Sequence, residues 1–288
     1  MKKFSFACFS VFLLLVYNYP SEAASSAGCS GGSGSEGSSV AHEITVSGGG
    51  GDRDYVTTTP DVYDGTTPVP VVFVMHPLTG TAAYMMNAWG GQSTANTYDT
   101  MLVSPQGLSN AWSTSSSSSY DVVFLNALMD EIEADYCVDT DKAYFAGFSM
   151  GGFMSHIMGN VESDRVAAVF TVASAIPSGY PAGSPKHPKY TMMVHADNDE
   201  VLPWGDSSSP GVHERDRILY DNSNASPADS TSGWCSSWYG SGETFTKHCL
   251  LTDVSETGSP HGNTFYYSLN GGFDTVSQAM GFLLYWSM

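Results

Sequence analysis

The chain has 288 residues, with ten lysines and arginines against 29 aspartates and glutamates, and a formal charge of −19. A surface this acidic repels phosphate backbones and anionic bilayers, so nucleic acid and membrane are set aside as expected partners. The length suits one α/β domain with a substantial core.

Lys2 and Lys3 precede the apolar run "FSFACFSVFLLLVY" and the small residues "SEAASSA". This order reads as a secretory signal over residues 1–23, cleaved after Ala23 or Ala27, because the run is shorter than the ~20 residues of a membrane span. Residues 24–51 are rich in serine and glycine and are expected to be loosely ordered except where Cys29 pins them. Residues 52–288 form the expected globular domain of a secreted protein acting as a monomer. Once Cys8 leaves with the signal, Cys29, Cys137, Cys235 and Cys249 remain, an even number suited to an oxidising compartment. Of the three possible pairings, Cys235 with Cys249 is the local one, across "CSSWYGSGETFTKHC", which leaves Cys29 for Cys137. No C-x-x-C spacing supports a zinc site, and no metal is expected.

Short apolar runs then alternate with helical patterns. "VPVVFVMH" (69–76) and "TMLVSP" (100–105) read as strands buried on both faces. From Tyr120 to Tyr136, Val122, Leu125, Leu128, Met129 and Ile132 recur at helical spacing. "KAYFAGFS", "VAAVFTVAS" and "YTMMVHA" give three more strands, and "GGFDTVSQAMGFLLYW" a closing amphipathic helix. Strands alternating with helices predict an α/β fold, a mostly parallel central sheet with helices on both faces, whose ligands sit at the carboxyl ends of the strands. Asn224-Ala225-Ser226 is a candidate glycosylation sequon, with Asn224 the acceptor.

Two G-x-S-x-G pentapeptides occur. Ser30 has neither a strand before it nor a helix after it. Ser149, in "KAYFAGFSMGGFM", has both, so the turn exposes its hydroxyl and aims the Met150 N–H at an oxyanion. A serine needs a base and the base an orienting carboxylate, in the order serine, acid, histidine for an α/β-hydrolase fold. Asp197 and Asp199 both follow the strand "YTMMVHA"; Asp199 is preferred because "DEVLP" turns it back over the sheet edge. His248 and His261 follow. His248 suits a structural role beside Cys249, and His261, in the loop "ETGSPHGN", suits the base. The loop "MHPLTGTA" supplies the second oxyanion donor. Pro77 has no N–H, which leaves Leu78, slightly favoured, or Thr79; His76 reads as a support for the loop.

These residues together resemble the secreted feruloyl esterase and polyhydroxybutyrate depolymerase family of α/β-hydrolases. The resemblance covers most of the mature chain. It rests on "VSPQGLSNAW", on "DVVFLNALMDEIEADYCVDTDKAYFAGFSMGG" and on "HADNDEVLPW", which is similar to the acid-bearing H-G-x-x-D-x-x-V-P-Y segment and places the acid at Asp199. The segment around His261 resembles the family's G-G-H loop. His76-Pro77 stands where the family has His-Gly, and "SPHGN" where it has Gly-Gly-His. The resemblance implies a serine carboxylesterase without cofactor, with hydroxycinnamoyl esters on polysaccharide as first substrate and polyesters or acetylated xylan as alternatives. A silent hydrolase fold that only binds carbohydrate is disfavoured by the intact set of three residues. Trp112 and Trp204, on loops expected near the site, are candidate stacking platforms for an aromatic acyl group or a sugar ring.

Overall fold

The computed structural model describes residues 23–288 apart from 33, 35–36, 38, 182–189, 225–226, 242, 253, 255–258 and 267–272. The signal-peptide reading of residues 1–23 therefore falls almost wholly outside the described residues. Six strands form a parallel block: β3 (Val69–Met75), β4 (Met101–Pro105), β5 (Val138–Phe148), β6 (Ala168–Val172), β7 (Tyr190–Ala196) and β10 (Phe245–Leu251). The antiparallel strands β1 (Val40–Val46) and β2 (Gly51–Thr58) extend one edge, and β9 (Cys235–Tyr239) and β8 (Ser230–Ser232) the other. The order across the ten-stranded sheet is β1-β2-β4-β3-β5-β6-β7-β10-β9-β8.

The apolar runs are unbroken because alternate side chains enter two different cores. Val72 and Val74 of β3 face one cluster, with Met85 and Met86 of α1 (Ala82–Ala88) and Met280 and Leu283 of α7 (Thr275–Leu283). Val71, Phe73 and Met75 face the other, with Leu125, Leu128 and Ile132 of α3 (Tyr120–Asp135) and Met154 and Ile157 of α4 (Met150–Val161). Each large side chain so buried contributes about 1.5–3 kcal/mol. The remaining helices are α2 (Gln92–Tyr98), α5 (Pro210–Asp221) and α6 (Pro260–Tyr266).

The segment 24–51 differs from expectation. It contains β1, paired over its full length with β2, and Ser25 forms a bridge with Asp139. Ordering follows from the hairpin: β1 alternates half-buried and exposed residues, and Gly48, Gly50 and Gly51 take positive φ at the turn into β2. The disulfides are Cys29–Cys137, which ties this segment to the start of β5, and Cys235–Cys249, which joins facing residues of β9 and β10.

β2 also carries Arg53, fully buried beside Asp121 of α3 at 2.5 Å. The guanidinium donates further to the carbonyls of Gly49 and Gln106 and lies 3.9 Å from the Phe124 ring centre. Asp121 also accepts from the Ser113 amide. This buried pair anchors the segment 106–113, which borders the site.

Asn224 forms an isolated bridge with Gly240, and the other two residues of its sequon lie outside the described residues. The Asn224 Oδ1 accepts from Thr246 and its Nδ2 is buried, without a hydrogen-bond partner, against Gly240.

Candidate active site

β5 ends at Phe148 and α4 begins at Met150, so Ser149 alone makes the turn, at φ 53° and ψ −121°. A β-carbon on Gly147 would stand 2.2 Å from the Gly151 carbonyl carbon, and one on Gly151 would stand 2.1 Å from the Met75 carbonyl oxygen. Only glycine permits this close crossing of β5, α4 and β3. The backbone is held on both sides: Ser149 N–H donates to Val172 O, and Ser149 O accepts from Gly152 and Phe153. Ser30, by contrast, is the exposed last residue of a 3₁₀ turn at Ala27–Ser30, with neither strand nor α-helix to position it.

His261 lies in the first turn of α6 rather than in a loop. Its Nε2 stands 2.9 Å from Ser149 Oγ, and its Nδ1 stands 2.7 Å from Asp199 Oδ2. The other oxygen, Asp199 Oδ1, accepts the amides of Val201 and Leu202, each at 2.8 Å, across the turn that follows β7. Burial acts to raise the Asp199 carboxyl, but the His261 hydrogen bond, the Leu202 and Val201 amides and the imidazole charge together hold it below the usual carboxylate range. It is therefore ionised at neutral pH, which fixes the proton on Nδ1 and leaves Nε2 to accept from the Ser149 hydroxyl. Asp197 is exposed, with its amide donating to Leu251 O.

Two backbone amides, one next to the turn and one in the loop after β3, have no acceptor among the described residues. Met150 N–H opens α4, where no preceding turn can accept from it. In the loop after β3, Thr79 N–H donates to Asn110 O at 2.7 Å and Gly80 N–H to Pro77 O, which leaves Leu78. His76 supports this loop. It is buried, its Nδ1–H donates to Pro77 O, and its Nε2 accepts from Gly107 N–H. Burial, only partly offset by the bond to Pro77, pushes the imidazole below its ordinary value, so it stays neutral.

No family model matches the chain. A probable feruloyl esterase C of Aspergillus niger is 28% identical over 192 residues, 63% of this chain and 68% of that protein. Feruloyl esterase C of Emericella nidulans is 31% identical over 156 residues, 52% of this chain and 56% of its own length. The chain thus spans little more than half of several curated relatives. Among solved structures, acetyl xylan esterase from Aspergillus awamori superposes with TM-score 0.60 at 12% identity, over 74% of this chain and 93% of that one. A ferulic acid esterase from Anaeromyces mucronatus gives TM-score 0.53 at 17% identity, over 81% and 90%. At such identities the structures speak to the fold. This chain has the α/β-hydrolase fold and is similar in sequence to feruloyl esterases over about half its length.

Within this fold the two tryptophans depart from expectation. Trp112 is buried, its indole N–H donates to His76 O, and its ring lies 4.7 Å from the His76 ring. It packs the 106–113 segment down and offers no free face. Trp204 is half-buried, stacked on His248 at 4.6 Å and 13°, with the Arg215 guanidinium 5.1 Å from its ring centre. Its ring holds the loop after Asp199 against β10.

The sequence reading missed two supports. Glu200 accepts from Ser259 Oγ with one oxygen and from His261 N–H at 3.2 Å with the other, fastening the entry to α6. Nothing in its spacing marks it beyond its place beside Asp199. Deeper, Glu214 of α5 accepts from Thr171 Oγ1 (2.8 Å), His156 Nε2 (2.6 Å) and His195 Nε2 (3.0 Å), and His195 Nδ1 bonds His248 Nε2 at 3.1 Å. Burial opposes the Glu214 charge, but the charges of His195 and His156 and their hydrogen bonds outweigh it and hold the carboxyl far below its ordinary range. Burial, reinforced by the charges of His195 and Arg215, pushes His248 well down and keeps it neutral. The network ties α4, β6, β7, α5 and β10 together beneath the strand ends that carry Ser149 and Asp199.

Proposed function

We propose that the chain is a serine carboxylesterase working through an acyl-enzyme, with Ser149 as nucleophile, His261 as base and Asp199 as its orienting acid. The single observation that carries this reading is the unbroken relay Ser149 Oγ–His261–Asp199, at 2.9 and 2.7 Å. As Ser149 attacks an ester carbonyl, His261 Nε2 takes its proton, and the imidazolium that forms faces the ionised Asp199. The Met150 and Leu78 amides receive the oxyanion, charge that exists only in the tetrahedral state. His261 then protonates the departing alcohol, and water repeats the steps to free the acid. Strain of about 1–3 kcal/mol at Ser149 is the cost of presenting the hydroxyl at the tip of the turn.

Hydroxycinnamoyl esters borne on polysaccharide are the proposed substrates, supported by homology to proteins named feruloyl esterases. Export from the cell is proposed with them, since both disulfides need an oxidising compartment. Purified protein is assayed on methyl ferulate, p-nitrophenyl acetate and a polyhydroxybutyrate film. Release of ferulate with the highest kcat/KM supports the reading. Film clearance without ferulate release replaces it by a polyester depolymerase, and hydrolysis that persists at wild-type rate in Ser149→Ala removes the mechanism.

A further inference from the structure

Away from the candidate site, a surface groove of about 470 Å³ lies between β9, β10 and α7. It sits at the amino-terminal end of the parallel strands: Phe245 and Lys247 pair with Tyr190 and Met192 of β7. Ser149, Asp199 and His261 follow the carboxyl ends of β5, β7 and β10, so the groove is at the opposite end of the sheet.

Its wall is a continuous aromatic strip. Tyr239 lies 4.8 Å from Phe245, Phe245 lies 5.3 Å from Trp286, and Trp286 lies 4.7 Å from Tyr285. The inner rings are held in place, Trp286 stacked on Tyr190 at 3.9 Å and 8°. The outer two are open: Tyr239 is 64% and Tyr285 76% exposed. A tyrosine ring has only two side-chain torsions to fix, so exposed rings cost little entropy to engage, and their apolar faces suit the C–H face of a sugar.

Lys247 is the charged residue of this groove. It is half-buried, no carboxylate is among the groove's lining residues, and Lys247 has no ion-pair partner among the described residues. In a chain with 29 acidic and ten basic residues, a sheltered ammonium without a counter-ion stands apart. Burial holds it below the ordinary lysine range, a penalty that an incoming carboxylate would relieve. Ser237 and Gln278 add polar groups for hydroxyls.

We propose that this groove is a second carbohydrate-binding site, taking a neutral polysaccharide that carries scattered uronate units, with sugar rings on Tyr239 and Tyr285 and a uronate carboxylate at Lys247. The charge of −19 disfavours a polymer that is anionic at every unit and leaves sparse uronates as the match. The site would hold the protein on the same polymer whose esters the proposed function cleaves. It rests on that reading for its purpose but not for its test.

The test uses the Ser149→Ala chain with insoluble glucuronoxylan, neutral arabinoxylan and polygalacturonate, reading depletion from solution at increasing polymer. Glucuronoxylan is expected to bind best. Tyr239→Ala and Tyr285→Ala, both at exposed positions, should each weaken it by about three- to tenfold. Lys247→Gln should erase the preference for glucuronoxylan over arabinoxylan, and added salt should do the same in the parent chain. In chains with Ser149 intact, all three substitutions should leave methyl ferulate turnover unchanged. Equal binding to both xylans by the parent overturns the uronate assignment. Undiminished binding by both tyrosine variants, or no binding by the parent, overturns the site. If ferulate is never released yet glucuronoxylan still binds in this pattern, the proposed function fails and this site stands.

Discussion

Replacing Asp199 by asparagine tests the relay at the point where the structure allows the sharpest reasoning. The carboxylate uses both oxygens: Oδ1 accepts two amides, from Val201 and Leu202, and Oδ2 accepts the His261 Nδ1–H. An amide side chain has a single oxygen, so one of the two sides must face its NH₂. Two donors at 2.8 Å on the Oδ1 side against one on the other direct the oxygen toward Val201 and Leu202, and the NH₂ toward His261. The imidazole then accepts at Nδ1 and carries its proton on Nε2, where it points at Ser149 Oγ and cannot act as a base. The fold loses little, because the packing and the turn are kept. Loss of the correct tautomer is expected to lower kcat by about 10⁴-fold with KM little changed. Turnover of p-nitrophenyl acetate is measured for Asp199→Asn and Asp197→Asn side by side, with near-ultraviolet circular dichroism to check packing. Asp197 is exposed and should tolerate the change. A crippled Asp197→Asn beside a near-normal Asp199→Asn would refute the reasoning.

Other outcomes follow from supports further out. Arg53→Met leaves Asp121 charged and buried without its partner, and should cost about 3–5 kcal/mol in urea unfolding; adding Asp121→Leu should recover much of that, and no recovery would show that the pair itself was not the cause. Glu214 and Asp199 have carboxyls held below their unfolded values, so their stabilisation is complete above a pH of about 4 and is lost as pH falls through the lower folded values. Urea midpoints followed from pH 6 downward should therefore fall below about pH 4, less steeply in Glu214→Gln. Removing Cys29–Cys137, whose partners are 108 residues apart, should cost about 4–5 kcal/mol against about 3 kcal/mol for Cys235–Cys249 at a separation of 14; midpoints of the paired Cys→Ser variants compare them, and the reverse order would contradict the loop-closure account.

The parallel block was legible because strands buried on both faces leave unbroken apolar runs, as at 69–76. Ser149 was legible because the turn admits only glycine at 147 and 151, a steric demand that survives as letters. β1 was hidden: as an edge strand it alternates weakly, behind a tract whose serines and glycines resemble a linker. The tryptophans misled because an indole at a loop reads alike whether it faces outward or, as Trp112 does, donates to a carbonyl below. Glu200 and the Glu214 network were invisible for a different reason. Their meaning depends on partners such as Ser259, His156 and His195, which only the folded chain brings near.

The spacing of the cysteines also has a meaning in time. A ribosome adding roughly 5–20 residues per second delivers Cys137 roughly 5–20 s after Cys29, since 108 residues separate them. When Cys137 emerges, neither Cys235 nor Cys249 has been made. The first bridge of the folded domain can therefore close correctly before any wrong partner within it exists, and the second joins the two cysteines that come last. A reduced, unfolded chain loses that schedule and meets all three pairings at once. Oxidative refolding in the test tube should accordingly be slower and more scrambled than synthesis, and depend more on thiol–disulfide exchange.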